Sequence, residues 1–270
     1  MITGNFWKRH NCQLERMSWR QLTKVFFLYP AVQVYLLIGA VAFAATFYLA
    51  DGVIRPLIAA VLAASAYPMV WYVLHRFVLH GRFLYRSPAT AALWKRVHFD
   101  HHREPTNLKV LFGALHTTMP TIILVVTPVG WAIGGAAGVT AAIAAGMAMV
   151  CFYEFMHCMQ HLPLWPKSPF LRKLKRLHLA HHYHDESGNY GITNFLPDRL
   201  FGTFYPRRAA RQRSATALNL GYAGDERKRY PWVAELTPDL PDDSQPERAK
   251  TIANGGARKE PAAPPISDAA

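Results

Sequence analysis

Residues 31–50 read AVQVYLLIGAVAFAATFYLA, with no Lys, Arg, Asp or Glu and with Gln33 as the main polar exception. A helix that crosses a bilayer needs about 20 mostly apolar residues. The stretch therefore predicts a transmembrane helix. Asp51, Gly52, Arg55 and Pro56 follow at once and make a turn. Leu57 to Leu74 is apolar again and returns across the bilayer, with Pro68 as a candidate kink.

A polar segment, His75 to Lys109, comes next, and then a second apolar block from about Thr117 to Phe155. That block is too long for one crossing. Pro128, Gly130, Gly134 and Gly135 predict a turn inside it, hence a second helical hairpin. Its second arm is rich in Gly and Ala, which suits close helix packing in lipid.

Charged residues make up 17% of the chain, against roughly 25% in a soluble domain. The formal net charge is +13. A basic excess fits either nucleic acid or an anionic lipid surface. Here Lys and Arg cluster at the ends of the apolar runs, which favours the membrane and argues against nucleic acid. Cys12, Cys151 and Cys158 form no CxxC pair and read as free thiols. The first 24 residues or so carry no small-residue cleavage site, and Phe6 to Val25 reads as an amphipathic segment on the membrane surface.

Charge also sets orientation. Lys8, Arg9, Arg16, Arg20 and Lys24 precede the first span. Arg76, Arg82, Arg86, Lys95, Arg96, Arg103 and Lys109 separate the hairpins. Lys167, Arg172, Lys173, Lys175 and Arg176 follow the fourth span, whereas the two outer turns hold only Arg55. The positive-inside rule then places both termini and the middle segment in the cytoplasm, as in a multi-pass protein of a bacterial inner membrane. Three regions are expected: a cytosolic amphipathic segment at 1–30, a membrane domain at 31–205, and a cytosolic tail at 206–270. The tail is basic at first and, from about Pro238, too poor in large apolar residues to order.

Ten of the 13 histidines fall into four groups. They are His75-Arg-Phe-Val-Leu-His80, His98-Phe-Asp-His101-His102, His157-Cys-Met-Gln-His161 and His178-Leu-Ala-His181-His182. Residues at i, i+3 and i+4 share a helix face. Each HxxHH triplet can thus aim three imidazoles at one point, and His157 with His161 is the helical pair that holds a metal. His75 and His80 lie about 140° apart on an ideal helix and need a local distortion. The two-hairpin topology puts every group on the cytoplasmic face. Neutral imidazole suits Zn, Cu, Fe and Ni, and one ion rarely takes more than about six ligands, so ten converging histidines imply two ions. Oxygen chemistry on an unactivated C–H bond needs a redox metal such as iron, although ligand type alone leaves zinc possible.

This order of motifs resembles the fatty acid hydroxylase/sterol desaturase superfamily of membrane di-iron oxygenases, and within it the fatty acid 2-hydroxylase branch. His181-His182-Tyr183, Tyr190-Gly191-Ile192-Thr193-Asn194 and Asp198-Arg199-Leu200-Phe201-Gly202-Thr203 resemble its C-terminal signature. The resemblance covers roughly residues 57–205. It implies an all-α integral membrane protein with four transmembrane helices in two hairpins and a cytosolic helical cap. The cap would hold two iron ions on His75, His80, His98, His101, His102, His157, His161, His178, His181 and His182. The implied activity is O2-dependent hydroxylation of a lipid acyl chain entering from the bilayer. A desaturase, or a hydroxylase of sterols, carotenoids or ornithine lipids, would use the same scaffold. A non-catalytic zinc-stabilised membrane protein is the alternative of another class.

Asp100, Glu154, His184, Asp185 and Asp198 lie near the motifs and are candidates to orient the ligands. His116 and His10 stand outside the motifs. Eukaryotic relatives often carry a fused cytochrome b5 domain, and no such haem-binding segment occurs in these residues. Electrons are then expected from a separate ferredoxin or cytochrome b5-like protein. Arg82, Arg86, Lys95, Arg96, Arg172, Lys173, Lys175 and Arg176 would form the basic face that attracts it.

Overall fold

The computed structural model describes residues 3–238 and 240, and its regular structure is helical throughout. Among the described residues the only extended pairing is an isolated bridge between Gln13 and Asn107. The chain divides into two compact units.

The first unit comprises 3–12, 17–71 and 112–159. Helix α1 spans Thr3–Arg9 and α2 spans Trp19–Leu28. Ser18 opens α2 with a reciprocal cap, its backbone N–H donating to Gln21 Oε1 at 2.8 Å. The stretch from Phe6 to Val25, expected as one amphipathic segment, is instead broken between Arg9 and Trp19, and only α2 within it is a regular amphipathic helix. α2 buries Leu22, Val25 and Phe26, and the Phe26 ring packs against Phe112 and Phe155 at centroid distances of 6.0 and 5.2 Å. α3 runs Pro30–Leu49, started by a proline whose missing N–H costs nothing at a first helical position. α4 runs Ile54–Val73 with Pro68 inside it. Leu37, Val41, Phe43 and Phe47 on α3, and Leu57 and Val61 on α4, remain exposed, an outward apolar surface that only lipid covers without cost.

The remaining helices of the chain are numbered in sequence. α5 is Pro88–Trp94, α6 is Asp100–Arg103, α7 is Leu108–Leu111 and α8 is Leu115–His161. α8 consists of two helical arms, because the backbone leaves helical angles at Gly134 and Gly135, where φ of Gly135 is +57°. Only glycine adopts that conformation freely. The chain reverses there. A Cβ on Gly130 would meet the Gly138 carbonyl at 2.5 Å, and one on Gly146 would meet Ile122 Cγ2 at 2.7 Å, contacts that a straight helix cannot make. The expected hairpin turn in the second apolar block is thus where its glycines place it. Three helical stretches, Pro30–Leu49, Ile54–Arg86 and Leu108–His161, are long and apolar enough to cross a membrane.

The second unit comprises 13–16, 72–111 and the described residues from 160 on. Its helices are α5 to α7, α9 at Pro169–Tyr183, α10 at Leu196–Leu200, α11 at Gly224–Arg229 and α12 at Trp232–Glu235. A buried cluster joins Tyr85, Ala91, Trp94 and Phe99 to Leu220, Tyr222, Val233 and Leu240. The described residues from 206 on, placed in a basic tail from their charge, therefore supply half of a core. Their apolar residues are too widely spaced to signal helix or strand, and only packing reveals them. The expectation of disorder beyond Pro238 falls outside the described residues, apart from Leu240.

Candidate metal centre

The first histidine motif shows how a local distortion replaces ideal geometry. Leu74–Leu79 form a π-helical turn, and the His80 N–H donates to the His75 carbonyl at 3.0 Å, an i→i+5 bond. Widening the turn by one residue brings side chains five apart onto one side, and the His75 and His80 ring centroids lie 4.9 Å apart. Such bulges gather at functional sites. A second π-helical turn, Lys95–Phe99, carries His98 ahead of α6.

Within this second unit the imidazoles form two groups. His75, His80, His102 and His181 each offer a ring nitrogen within 4.8 Å of the others, and so do His101, His161, His178 and His182. His98 stands against the first group, its ring 4.6 Å from His80, 4.7 Å from His102 and 5.0 Å from His75. His157 belongs to the first unit. It is buried on α8 one turn before His161, and the i, i+4 spacing puts the two on one helix face.

The triplets do not aim at one point, as spacing alone suggested. Neighbouring residues on a helix diverge by about 100°. His101 and His102 accordingly enter different groups, as do His181 and His182, while His178 shares the group of His182. Each doublet contributes one imidazole to each group.

Backbone carbonyls fix the rings. Nδ1 of His75 donates to the Tyr190 carbonyl at 2.7 Å, that of His102 to Ala217 at 2.8 Å and that of His181 to Gly188 at 2.8 Å. A carbonyl can only accept, so each Nδ1 carries the proton and Nε2 keeps its lone pair. Burial, and then the neighbouring His102 and His101, hold His182 well below the usual histidine range; burial, then His80 and His102, does the same for His98. Both stay neutral, the form that ligates metal.

Several observations fit a metal. His80 Nε2, His98 Nε2 and His182 Nδ1 are buried with no hydrogen-bond partner, which is costly unless something else meets the lone pair. His161 Nε2 and His178 Nε2 lie 2.9 Å apart. Two nitrogens each about 2.1 Å from one ion, at right angles, would be about 3 Å apart.

The candidate orienting residues have the following partners. Asp100 pairs with Lys95 at 2.7 Å. Glu154 accepts from the Gly113 N–H at 3.1 Å inside the first unit. His184 caps the end of α9 against the carbonyls of Arg208 and Arg211 at 2.8 and 3.0 Å. Asp185 is bound by Arg211 at 2.8 Å and by Ser187, which together hold its carboxyl below its ordinary value although burial pushes it up. Asp198 accepts from the N–H groups of Tyr190 and Gly191 at 2.8 and 2.9 Å and from the Thr203 hydroxyl at 2.7 Å; burial nevertheless raises its carboxyl. It holds the loop whose Tyr190 carbonyl orients His75, and so serves the site at one remove.

Sequence reasoning missed the three carbonyl partners and Gln160, which is fully buried and donates to the Ile192 carbonyl at 2.8 Å. Main-chain groups leave no residue-type signal. Lys175, counted with the exposed basic face, is instead buried.

The chain is similar in sequence to known lipid hydroxylases. The ceramide very long chain fatty acid hydroxylase of Saccharomyces cerevisiae is 31% identical over 143 residues, 50% of this chain and 35% of that one. A dihydroceramide fatty acyl 2-hydroxylase of Arabidopsis thaliana is 29% identical over 152 residues, covering 53% and 59%. The fatty acid 2-hydroxylase of Homo sapiens is 24% identical over 157 residues, covering 54% and 39%. The chain thus matches less than two thirds of the length of each. In fold it is similar to a solved structure of full-length scs7p in which only the hydroxylase domain is visible, at a TM-score of 0.54 and 23% identity over 74% of this chain and 71% of that one. The sequence model of the fatty acid hydroxylase family matches residues 60–203, more than half of the chain, and the protein belongs to that family.

Proposed function

We propose that the protein is an O2-dependent hydroxylase of a lipid acyl chain, with two iron ions held by its two histidine groups. The observation that carries this reading is the pair of groups itself: buried, neutral imidazoles, several with a carbonyl on the outer nitrogen and a lone pair on the inner one. His75, His80, His98, His102 and His181 would hold one ion, and His101, His161, His178 and His182 the other. Bound iron would supply the two-electron activation of O2 that no side chain here provides. The balanced reaction takes a C–H bond, O2, two electrons and two protons to a C–OH bond and water.

The protein's own part is orientation and exclusion. Carbonyls of Tyr190, Ala217 and Gly188 keep three rings in one tautomer. Burial of the imidazoles keeps water from competing for the ions. In this reading the chain crosses the membrane four times, the reversal at Gly134 and Gly135 dividing the third apolar stretch, with the histidines on the cytoplasmic side. The substrate would enter from the bilayer, and a separate acidic donor would deliver the electrons.

Lipid mass spectrometry of cells expressing the wild type or the His101→Ala variant tests this. A lipid heavier by one oxygen in the wild type alone is expected. A product lighter by two hydrogens would make the enzyme a desaturase, and identical lipid profiles with zinc-loaded protein would favour a structural metal site.

A further inference from the structure

The carbonyls at the end of a helix need partners from elsewhere. α8 ends at His161, and the following Leu162-Pro163-Leu164-Trp165-Pro166 cannot extend it, because prolines supply no N–H and obstruct the preceding turn. Lys175 serves the carbonyl just past the helix end and one in the loop that follows. It is 0% exposed, its ammonium donates to the carbonyl of Leu162 and, at 3.0 Å, to that of Leu164, and it lies 4.9 Å from the centre of the Trp165 ring. A cation suits a helix C-terminus and the face of an indole.

Its place on α9 gives the contact a consequence. His178 follows Lys175 by three residues and lies on the same helix face. His161 precedes Leu162 by one. The two histidines are thus joined at one end by Lys175 and meet at the other, with their Nε2 atoms 2.9 Å apart. Both belong to the group that contains His101 and His182, and neither to the other group. An apolar side chain of similar volume would avoid the desolvation of a buried ammonium. It would leave the two carbonyls without a donor and α9 free to slide along the end of α8.

We propose that Lys175 is a positioning residue for one metal ion alone: it sets the separation of His161 and His178, so that its loss weakens the ion of that group and leaves the other in place. The proposal rests on the reading of the two groups as metal sites.

The test uses the full chain purified in detergent, with metal content, cobalt(II) absorption and far-ultraviolet circular dichroism measured on wild type, Lys175→Met, Lys175→Gln and Lys175→Arg. About two ions per chain are expected in the wild type. Lys175→Met should hold about one, with unchanged helicity and at least about tenfold weaker binding of the second. Lys175→Arg, which keeps a cationic donor at this position, should restore the second ion. If Lys175→Met does not fold, Lys175→Gln decides by the same measure. Two tightly held ions in the folded Met or Gln variant, or parallel loss of both, overturn the role of Lys175 while the metal reading stands. A wild type that takes up no metal overturns the metal reading itself.

Discussion

His101 and His102 are adjacent in the chain, yet their rings stand 6.1 Å apart at 75° and serve different histidine groups. His101 lies 4.5 Å from the His182 ring and His102 5.0 Å from that of His181. A short helix can feed two centres because successive side chains diverge by about 100°.

The two neighbours should therefore fail differently. His101→Ala is expected to lose the ion bound with His161, His178 and His182. His102→Ala should lose the one bound with His75, His80 and His181. Each variant should retain about one ion and lose turnover by more than about 100-fold. Metal analysis with a turnover assay checks both, and full activity in either variant would remove that residue from the centre.

The asymmetry of Lys and Arg predicts which side faces out. A cysteine placed at Asp51 should react with a membrane-impermeant thiol reagent in intact cells, and one placed at Arg103 should react only after lysis. Labelling of position 103 from outside would reverse the orientation.

Electron delivery should be sensitive to salt. Lys173, Arg207 and Arg208 are exposed, whereas Lys175 is enclosed and cannot touch a partner. With an acidic donor, the reduction rate should fall as ionic strength rises, since the screening length shrinks from about 10 Å at 0.1 M to about 3 Å at 1 M salt. Lys173→Glu with Arg207→Glu should slow reduction in stopped-flow while leaving substrate affinity unchanged. Rates indifferent to both treatments would leave the basic surface as a lipid contact.

Lys175 also predicts a pH dependence of stability. Burial lowers its pKa from 10.5 to about 8. Between those values the unfolded chain binds more protons than the folded one, so stability rises with pH across the window, and below pH 8 the full cost of the buried charge is present. The penalty is on the order of 3 kcal/mol. Thermal unfolding of the wild type from pH 7 to 10 should show an upward drift that Lys175→Met lacks, and superimposable profiles would contradict it.

Much of the architecture is legible in the residues alone, because two of its signals are local. Apolar length marks Pro30–Leu49 and the long stretches after it, since a bilayer demands about 20 such residues whatever their neighbours. Glycine marks the reversal at Gly134 and Gly135, since a positive φ excludes other side chains at little else than a turn. The histidine motifs announce groups that could hold metal, because ring nitrogens at helical spacing have few other uses. Tertiary structure alone decided the rest. The division of each HH doublet depends on where α6 and α9 stand in the second unit, and the spacing of His75 and His80 works only through a π-helical turn that no residue type specifies. The carbonyls of Tyr190, Gly188 and Ala217 belong to main chain, which every residue has. Lys175 carries the same charge as its exposed neighbour Lys173 and differs only in being enclosed. Charge is read from composition, but burial and partners come from chain segments distant in sequence, and those two quantities separate a surface lysine from one that holds two helices together.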